Sequence, residues 1–377
     1  MLRRHEGTAE KKTVRSVVVM DSNERVLRAL DHAAVDVIPY WGDFTSIESQ
    51  MKFFGESFYA ADPLTQSLFQ AKFMNSDIIN LPVVGFPGCY DVFCEKLYEG
   101  TEYVLSRSPF GAIHYWRKKP YFAKVLQSPV KTKEDLDSIQ PFEISKYDTR
   151  IHELAALAHK LKSYRFFLLA EIKGPFEAPW MFLRGMMPYL KDLATDPSFV
   201  KRMIEVSFRP IMDLTERVVD DAKIDGIWVT DDLGESRSPF MSVEKYRQIY
   251  KPWHKELVAR LHKKGVKVFL HSHGNVMSLV GEFVDVGFDS LDPLDPTDGM
   301  RISQVKSLWG DKITLTGGIA KQIGAMTLQE IDKHLEEVVK TAGPTGFILN
   351  CGGGVPPEMT LESFMHYSSA IEKFRKV

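Results

Sequence analysis

The sequence predicts a single (β/α)8 barrel of the TIM type, with an insertion between its second and third strands. Three observations lead there. Eight short apolar, β-branched or aromatic runs are spread along 377 residues, longer amphipathic segments separate the later runs, and no Pro/Gly/Ser-rich linker divides the chain. Alternation of strand and helix argues for parallel βαβ units. Eight such units favour closure into a barrel over an open doubly wound sheet. The open alternative is further weakened because no Gly-x-Gly-x-x-Gly follows the first strand.

Taken in order, the expected strands cover residues 36–41, 77–81, 165–171, 226–231, 266–273, 289–293, 313–317 and 346–351. Helical patterns fill 198–222, 242–264, 276–286, 301–308, 327–342 and 361–376. Spacing is tight from residue 165 onward, but more than eighty residues separate strands two and three. Within them, residues 102–116 alternate around Pro109-Phe110-Gly111 as a hairpin does. Residues 1–20 mix Arg and Lys with Glu6 and Glu10 and lack an apolar signal region, so a flexible tail is expected there and the barrel over 21–377.

Composition narrows the function. Lys+Arg is 48 against Asp+Glu 50, so no basic excess supports nucleic-acid binding. The longest apolar runs, such as 166–170, are strand-sized, and no membrane span is expected. Three cysteines, Cys89, Cys94 and Cys351, cannot make a disulfide framework and suit a reducing, cytoplasmic setting. Cys89 and Cys94 do not have zinc-knuckle spacing and are read as structural.

Chemistry in such a barrel collects at the C-terminal ends of the strands. There the fifth strand ends in Phe-Leu-His271-Ser-His273, and two-residue alternation turns both imidazoles the same way. The eighth ends in Asn350-Cys351 followed by Gly352, Gly353 and Gly354. His271, His273 and Cys351 would converge across the mouth on one zinc ion with an open fourth position, the pattern of a catalytic site. The bland reading is two hydrogen-bonded core histidines and a small buried thiol. Three successive glycines, costly in folding entropy, favour an exposed thiolate. Asn350, Gly352, Gly353 and Gly354 are the candidate cofactor-contacting residues.

Asp231 and Asp232 end the fourth strand; one should face inward, to orient a histidine or act as a base, unless the pair caps a loop. Glu171 ends the third and offers a fourth metal ligand, a substrate contact or a salt bridge. Asp292 and Asp295 are expected to serve a turn, and Asp77 lies at the wrong end for chemistry. Trp41, Phe44, Phe86, Phe176, Trp180 and Phe182 follow strands one to three, where a subset would wall an apolar cavity for an aromatic ligand or a corrin face.

These residues also carry a resemblance. Asp-Asp-Leu-Gly at 231–234, Ser-x-Glu-x-Tyr-Arg-x-x-Tyr-Lys-Pro at 242–252 and Lys-Val-Phe-Leu-His-Ser-x-Gly-Asn at 267–275 resemble the uroporphyrinogen decarboxylase superfamily. So do Leu-Thr-Gly-Gly-Ile at 315–319 and Asn-Cys-Gly-Gly-Gly-Val-Pro-Pro-Glu at 350–358. The decarboxylases carry an Arg-Gln-Ala-Gly-Arg-Tyr signature after the first strand, where residues 39–45 hold no arginine, and their Asn-Leu-Gly-His-Gly has become Asn350-Cys351-Gly352-Gly353-Gly354. The cobalamin-linked methyltransferases of the superfamily hold zinc through His-x-Cys and a C-terminal Cys. His271 and Cys351 match the outer two ligands; His273 replaces the middle Cys.

That replacement removes one thiolate and leaves zinc the stronger Lewis acid, better suited to an ether oxygen than to a thiol. The resemblance therefore implies a zinc methyltransferase similar to the first component of O-demethylase systems. It would move a methyl group from a small methylated, methoxy-aromatic donor to cob(I)alamin. No Asp-x-His-x-x-Gly occurs, so the cobalamin would arrive on a separate corrinoid protein. A methylcobalamin:thiol methyltransferase and a metal-free decarboxylase-like lyase are the alternatives.

Overall fold

Twelve strands form two sheets in the computed structural model, which describes residues 19–44, 46–85 and 91–376. In chain order they are β1 (Tyr40–Trp41), β2 (Ile78–Pro82), β3 (Glu95–Glu99), β4 (Tyr103–Arg107), β5 (Ile113–Arg117), β6 (Phe122–Gln127), β7 (Phe167–Lys173), β8 (Gly226–Thr230), β9 (Lys267–His271), β10 (Ser290–Leu294), β11 (Thr314–Ile319) and β12 (Phe347–Cys351). Eight make a parallel sheet ordered β1-β12-β11-β10-β9-β8-β7-β2. Its two end strands meet through Asp77 N–H donating to Tyr40 O at 2.7 Å and Gly42 N–H donating to Ser76 Oγ at 3.0 Å. Helices lie between the strands, so the expected (β/α)8 barrel is present and nearly closed.

The expected insertion is a four-stranded antiparallel sheet, β3-β4-β5-β6. Its β4–β5 turn falls at 108–112, where Gly111 takes φ +91° and donates to Ser108 O. One face is buried through Val104, His114 and Trp116, with His114 Nε2 3.0 Å from Met181 O. At the next turn, Tyr121 N–H donates to Glu48 Oε2 at 3.1 Å, which ties the insertion to the helix Ile47–Phe54 that follows β1. Cys89 and Phe86, like residues 1–18 of the expected tail, lie outside the described residues. No described helix is long and apolar enough to cross a membrane.

Two elements differ from expectation for local reasons. The pattern at 242–264 is two helices, Val243–Ile249 and Lys251–His262, because Pro252 lacks the N–H that a continuous helix would need. The first strand shrinks to Tyr40–Trp41, since Val37 bridges Lys376 and Ile38 donates to Arg375 O.

The barrel is closed below by the helix Ser22–Leu30, which is capped by Asp21. Val26, Ala29 and Leu30 share a buried cluster with the inward side chains Trp41, Ile78, Phe167, Leu169, Phe269 and Ile348. At this end Asp77 accepts from Arg25 Nη1 (2.5 Å), Ser22 Oγ (2.7 Å), Tyr40 N (2.9 Å) and Arg375 Nη2 (2.8 Å). It is the N-terminal end, away from the chemistry, as the sequence indicated. Arg25 also pairs with Asp36.

Burial alone would raise Asp36, but the Arg25 guanidinium and the Met20 and Val37 amides hold it at about 2. Its folded value lies below the ordinary carboxylate value of about 4, so its contribution is present above about pH 4 and is lost as pH falls towards 2. Asp36→Asn should accordingly lower stability at pH 7 and flatten the acid loss between about pH 4 and 2, read from denaturation midpoints against pH. An unchanged acid limb would contradict the pairing.

Candidate active site

The inward face identifies the site. On β7, Phe167 and Leu169 point into the barrel, so alternation sends Glu171 and Lys173 up the same face. On β9, Phe269 points in, and His271 follows it. Register then sets Lys173 beside Thr230, Thr230 beside His271, and His271 beside Asp292 across β7, β8, β9 and β10. This row is a polar rim above the apolar cluster of Phe167, Leu169 and Phe269.

His271 and His273 are neighbours, with ring centroids 4.7 Å apart and planes at 90°. His271 Nδ1 lies 2.7 Å from Asp292 Oδ2, and Trp228 Nε1 donates to the same oxygen at 3.1 Å. His273 Nδ1 lies 3.5 Å from Asp298 Oδ2, and Asp298 is itself paired with Lys321. A carboxylate on Nδ1 fixes the tautomer that leaves Nε2 free for a metal. The free side of His271 has Asp232 Oδ1 at 3.8 Å, and that oxygen accepts from His273 N–H at 2.8 Å.

Burial works against charge on both partners. It would lower His273, but Asp298, Asp232 and Asp292 outweigh it and raise the imidazole. It would raise Asp232, but His271 and His273 outweigh it and lower the carboxyl.

Cys351 stands apart from the pair. On β12, Ile348 faces inward, so Asn350 does too and donates Nδ2–H to Trp41 O at 2.9 Å. Cys351 turns to the outer layer, where burial pushes its thiol up and Sγ donates to Gly354 O at 3.1 Å. Its glycine turn does reach His273. A side chain on Gly353, at φ +81°, would begin 3.5 Å from His273 Nε2, and one on Gly352 would begin 2.8 Å from Asp295 Oδ2.

Among the described residues, no group of three or more His, Cys, Asp and Glu side chains is gathered to hold a metal ion. The donor chemistry still fits zinc: two carboxylate-anchored imidazoles lie side by side, and one of them, His273, meets the glycine turn next to a thiol. Beside them, Asp292 Oδ1 and Asp295 Oδ2 are buried without hydrogen-bond partners; Lys321 Nζ lies 4.0 Å from the Asp295 oxygen, and Asp292 Oδ1 is the one a cation would offset.

Asp231 belongs to the framework under the site. Its Oδ1 accepts from Phe176 N (2.9 Å) and Glu177 N (2.8 Å), and its Oδ2 meets His254 Nε2 at 3.0 Å. A side chain on Gly174 would begin 2.4 Å from Asp231 Cγ, so only glycine lets the turn close over it. Asp232 is the member of the pair at the mouth. Glu171 takes the salt-bridge option, with Oε1 3.1 Å from Lys173 Nζ.

Asp295 serves a turn, accepting from Thr297 N and Oγ1, but Asp292 does not: register makes it the partner of His271. Of the aromatics, Trp41 joins the inner cluster, Phe44 packs on Phe53, Phe54 and Phe364, and Phe176 stacks on Phe240.

Lys173, Glu177 and Asp298 were not singled out from the sequence. Lys173 is 2% exposed and donates to Glu171 Oε1 and Thr230 Oγ1, with Glu177 Oε2 at 3.5 Å. Burial would lower it, but Glu177 and Glu171 outweigh that and keep the ammonium charged. Burial lifts Glu177 to about 8, against the pull of Lys173.

The family model for uroporphyrinogen decarboxylase (URO-D) matches residues 114–374, more than half of the chain. The chain belongs to the uroporphyrinogen decarboxylase family. Within reach of this URO-D chain is uroporphyrinogen decarboxylase 1, chloroplastic, of Oryza sativa subsp. japonica, 24% identical over 266 residues. That match covers 67% of this chain and 62% of the rice protein, so the chain spans under two thirds of that relative. Among solved structures, a methyltransferase from Methanosarcina mazei shares the URO-D barrel at a TM-score of 0.67 and 16% identity, over 94% of this chain and 99% of that one.

Proposed function

We propose that this protein is a zinc-dependent methyltransferase that moves a methyl group between a small donor and cob(I)alamin carried by a separate corrinoid protein. The favoured donor is a methoxy-aromatic ether. The observation that carries the reading is the histidine pair whose Nδ1 atoms rest on Asp292 and Asp298. It has the form of ligands prepared for a metal, and a methyltransferase stands among the proteins of the same barrel fold.

His271, His273 and Cys351 would hold zinc, Cys351 by turning Sγ away from Gly354 O. Zinc, when bound, supplies a Lewis acid for the oxygen that loses its methyl group. The chain's own residues do the positioning. Asp292 and Asp298 fix the imidazoles, and Asp231 with His254 fixes the turn that carries Glu177. Lys173 offers a fixed positive charge near the departing electron pair, an electrostatic contribution in a water-poor site.

The test is anaerobic incubation with free cob(I)alamin and a panel of methyl ethers, following conversion to methylcobalamin by absorbance. Transfer by the parent is expected to fall at least about 100-fold in His271→Ala. The family model and the rice relative favour a decarboxylase as the second reading. Turnover of a carboxylated tetrapyrrole, with no methyl transfer from ethers or to thiols, would put that reading first.

A further inference from the structure

Two buried polar atoms without a hydrogen-bond partner lie on one short stretch after β7: Glu177 Oε2 and Trp180 Nε1. Residues three apart on a helical turn share a face. Here the turn runs from Glu177–Pro179 into Trp180–Arg184. Glu177 is 6% exposed, and its Oε2 lies 3.5 Å from Lys173 Nζ, which stands in the inward row with Thr230 and His271. The turn therefore faces the barrel mouth.

Its position is imposed. Asp231 holds the Glu177 amide, and the closing residue Gly185 donates to Trp180 O at 2.7 Å. From above, the insertion brings Tyr121, whose phenol burial pushes up to about 12 while Lys173 lowers it and Glu171 raises it. A buried N–H and a buried carboxyl oxygen left unpaired each cost free energy, so native structures keep few of them without a purpose.

We propose that Glu177 and Trp180 form a subsite for a hydroxyl group on the substrate. A hydroxyl is the smallest group that meets both demands. Its oxygen accepts from Trp180 Nε1–H, which can only donate, and its hydrogen is donated to Glu177 Oε2. An ether oxygen alone can satisfy Trp180 but leaves Glu177 unpaired. The subsite thus narrows the donor, on the methyl-transfer reading above, to a hydroxylated aromatic methyl ether. Discrimination follows from the penalty: an ether without the hydroxyl leaves the buried Glu177 oxygen without a hydrogen bond, and polar sites of this kind reject such analogues strongly.

Calorimetric binding of the three methoxyphenol isomers, anisole and phenol to the zinc-supplied protein tests this without cobalamin or turnover. At least one isomer should bind about tenfold tighter than anisole, and Trp180→Phe, which keeps the ring and deletes the N–H, should cut that ratio below about threefold. Glu177→Gln should reduce it as well. If phenol binds as tightly as the best isomer and responds to the same variants, the subsite stands even where methyl transfer fails. Anisole equal to all three isomers, a ratio indifferent to both variants, or no binding by any of the five ligands overturns it.

Discussion

Asp77→Ala should destabilise the protein by about 3–5 kcal/mol, because it strips two buried arginines of their shared carboxylate. Asp77 is 3% exposed and collects Arg25, Arg375, Ser22 and the Tyr40 amide, which lie more than 300 residues apart along the chain at their extremes. These contacts join the helix beneath the barrel, the seam between β1 and β2, and the last turn of the C-terminal helix. Arg25 keeps Asp36, but Arg375 keeps only a 3.4 Å contact to Glu372 and the Asn75 carbonyl at 3.2 Å. Against a total stability of typically 5–15 kcal/mol, such a loss is large. Urea unfolding should show the midpoint move with the slope preserved. A shift below about 1 kcal/mol would mean that the network adds little beyond its own desolvation.

The sequence is most legible where periodicity alone decides. Eight parallel strands follow from apolar runs, and the adjacency of His271 and His273 follows from alternation within one strand. What alternation cannot supply is the register between strands. Asp292 looked like a turn residue because its neighbour Asp295 is one. Only the pairing of β9 with β10 places it against His271. Lys173 is hard to foresee because lysine is ordinarily a surface residue. Its signal was present in the two-residue step from Glu171 along an inward face. The same step from Ile348 to Asn350 would have turned Cys351 outward, as the structure has it. Asp231 was indistinguishable from Asp232 by sequence, since His254, which claims it, lies on a helix packed behind the sheet.

The division between Asp231 and Asp232 also explains how a buried acidic mouth is tolerated. Asp231 is satisfied by two amides and an imidazole, and Glu171 by Lys173. Around the histidines, Asp292 and Asp295 each keep one buried oxygen without a hydrogen bond, and Lys321 Nζ stands 4.0 Å from that of Asp295. Asp292 Oδ1 is left without a partner on the side where a cation is proposed, whereas Glu177 Oε2, on the other side, has the Lys173 ammonium at 3.5 Å.

Metal retention should report that asymmetry. The purified parent, supplied with zinc, is expected to hold about one ion per chain, and His271→Ala and Cys351→Ala should hold sharply less. Asp292→Ala is the more discriminating variant, since Asp292 touches the Nδ1 of His271 rather than the ligating side. Loss of such a partner typically weakens a metal site by about 10- to 100-fold, through a ring free to turn and a less basic nitrogen. Competition with a chromophoric chelator would measure it. Asp298→Ala should act in the same direction more weakly, because its contact to His273 is 3.5 Å against 2.7 Å for Asp292 and His271. Equal zinc affinity in Asp292→Ala and the parent would make the carboxylate a packing partner only. A parent that binds no zinc would remove the metal from the mechanism, and with it the reason for holding two imidazoles in fixed tautomers at the mouth of the barrel.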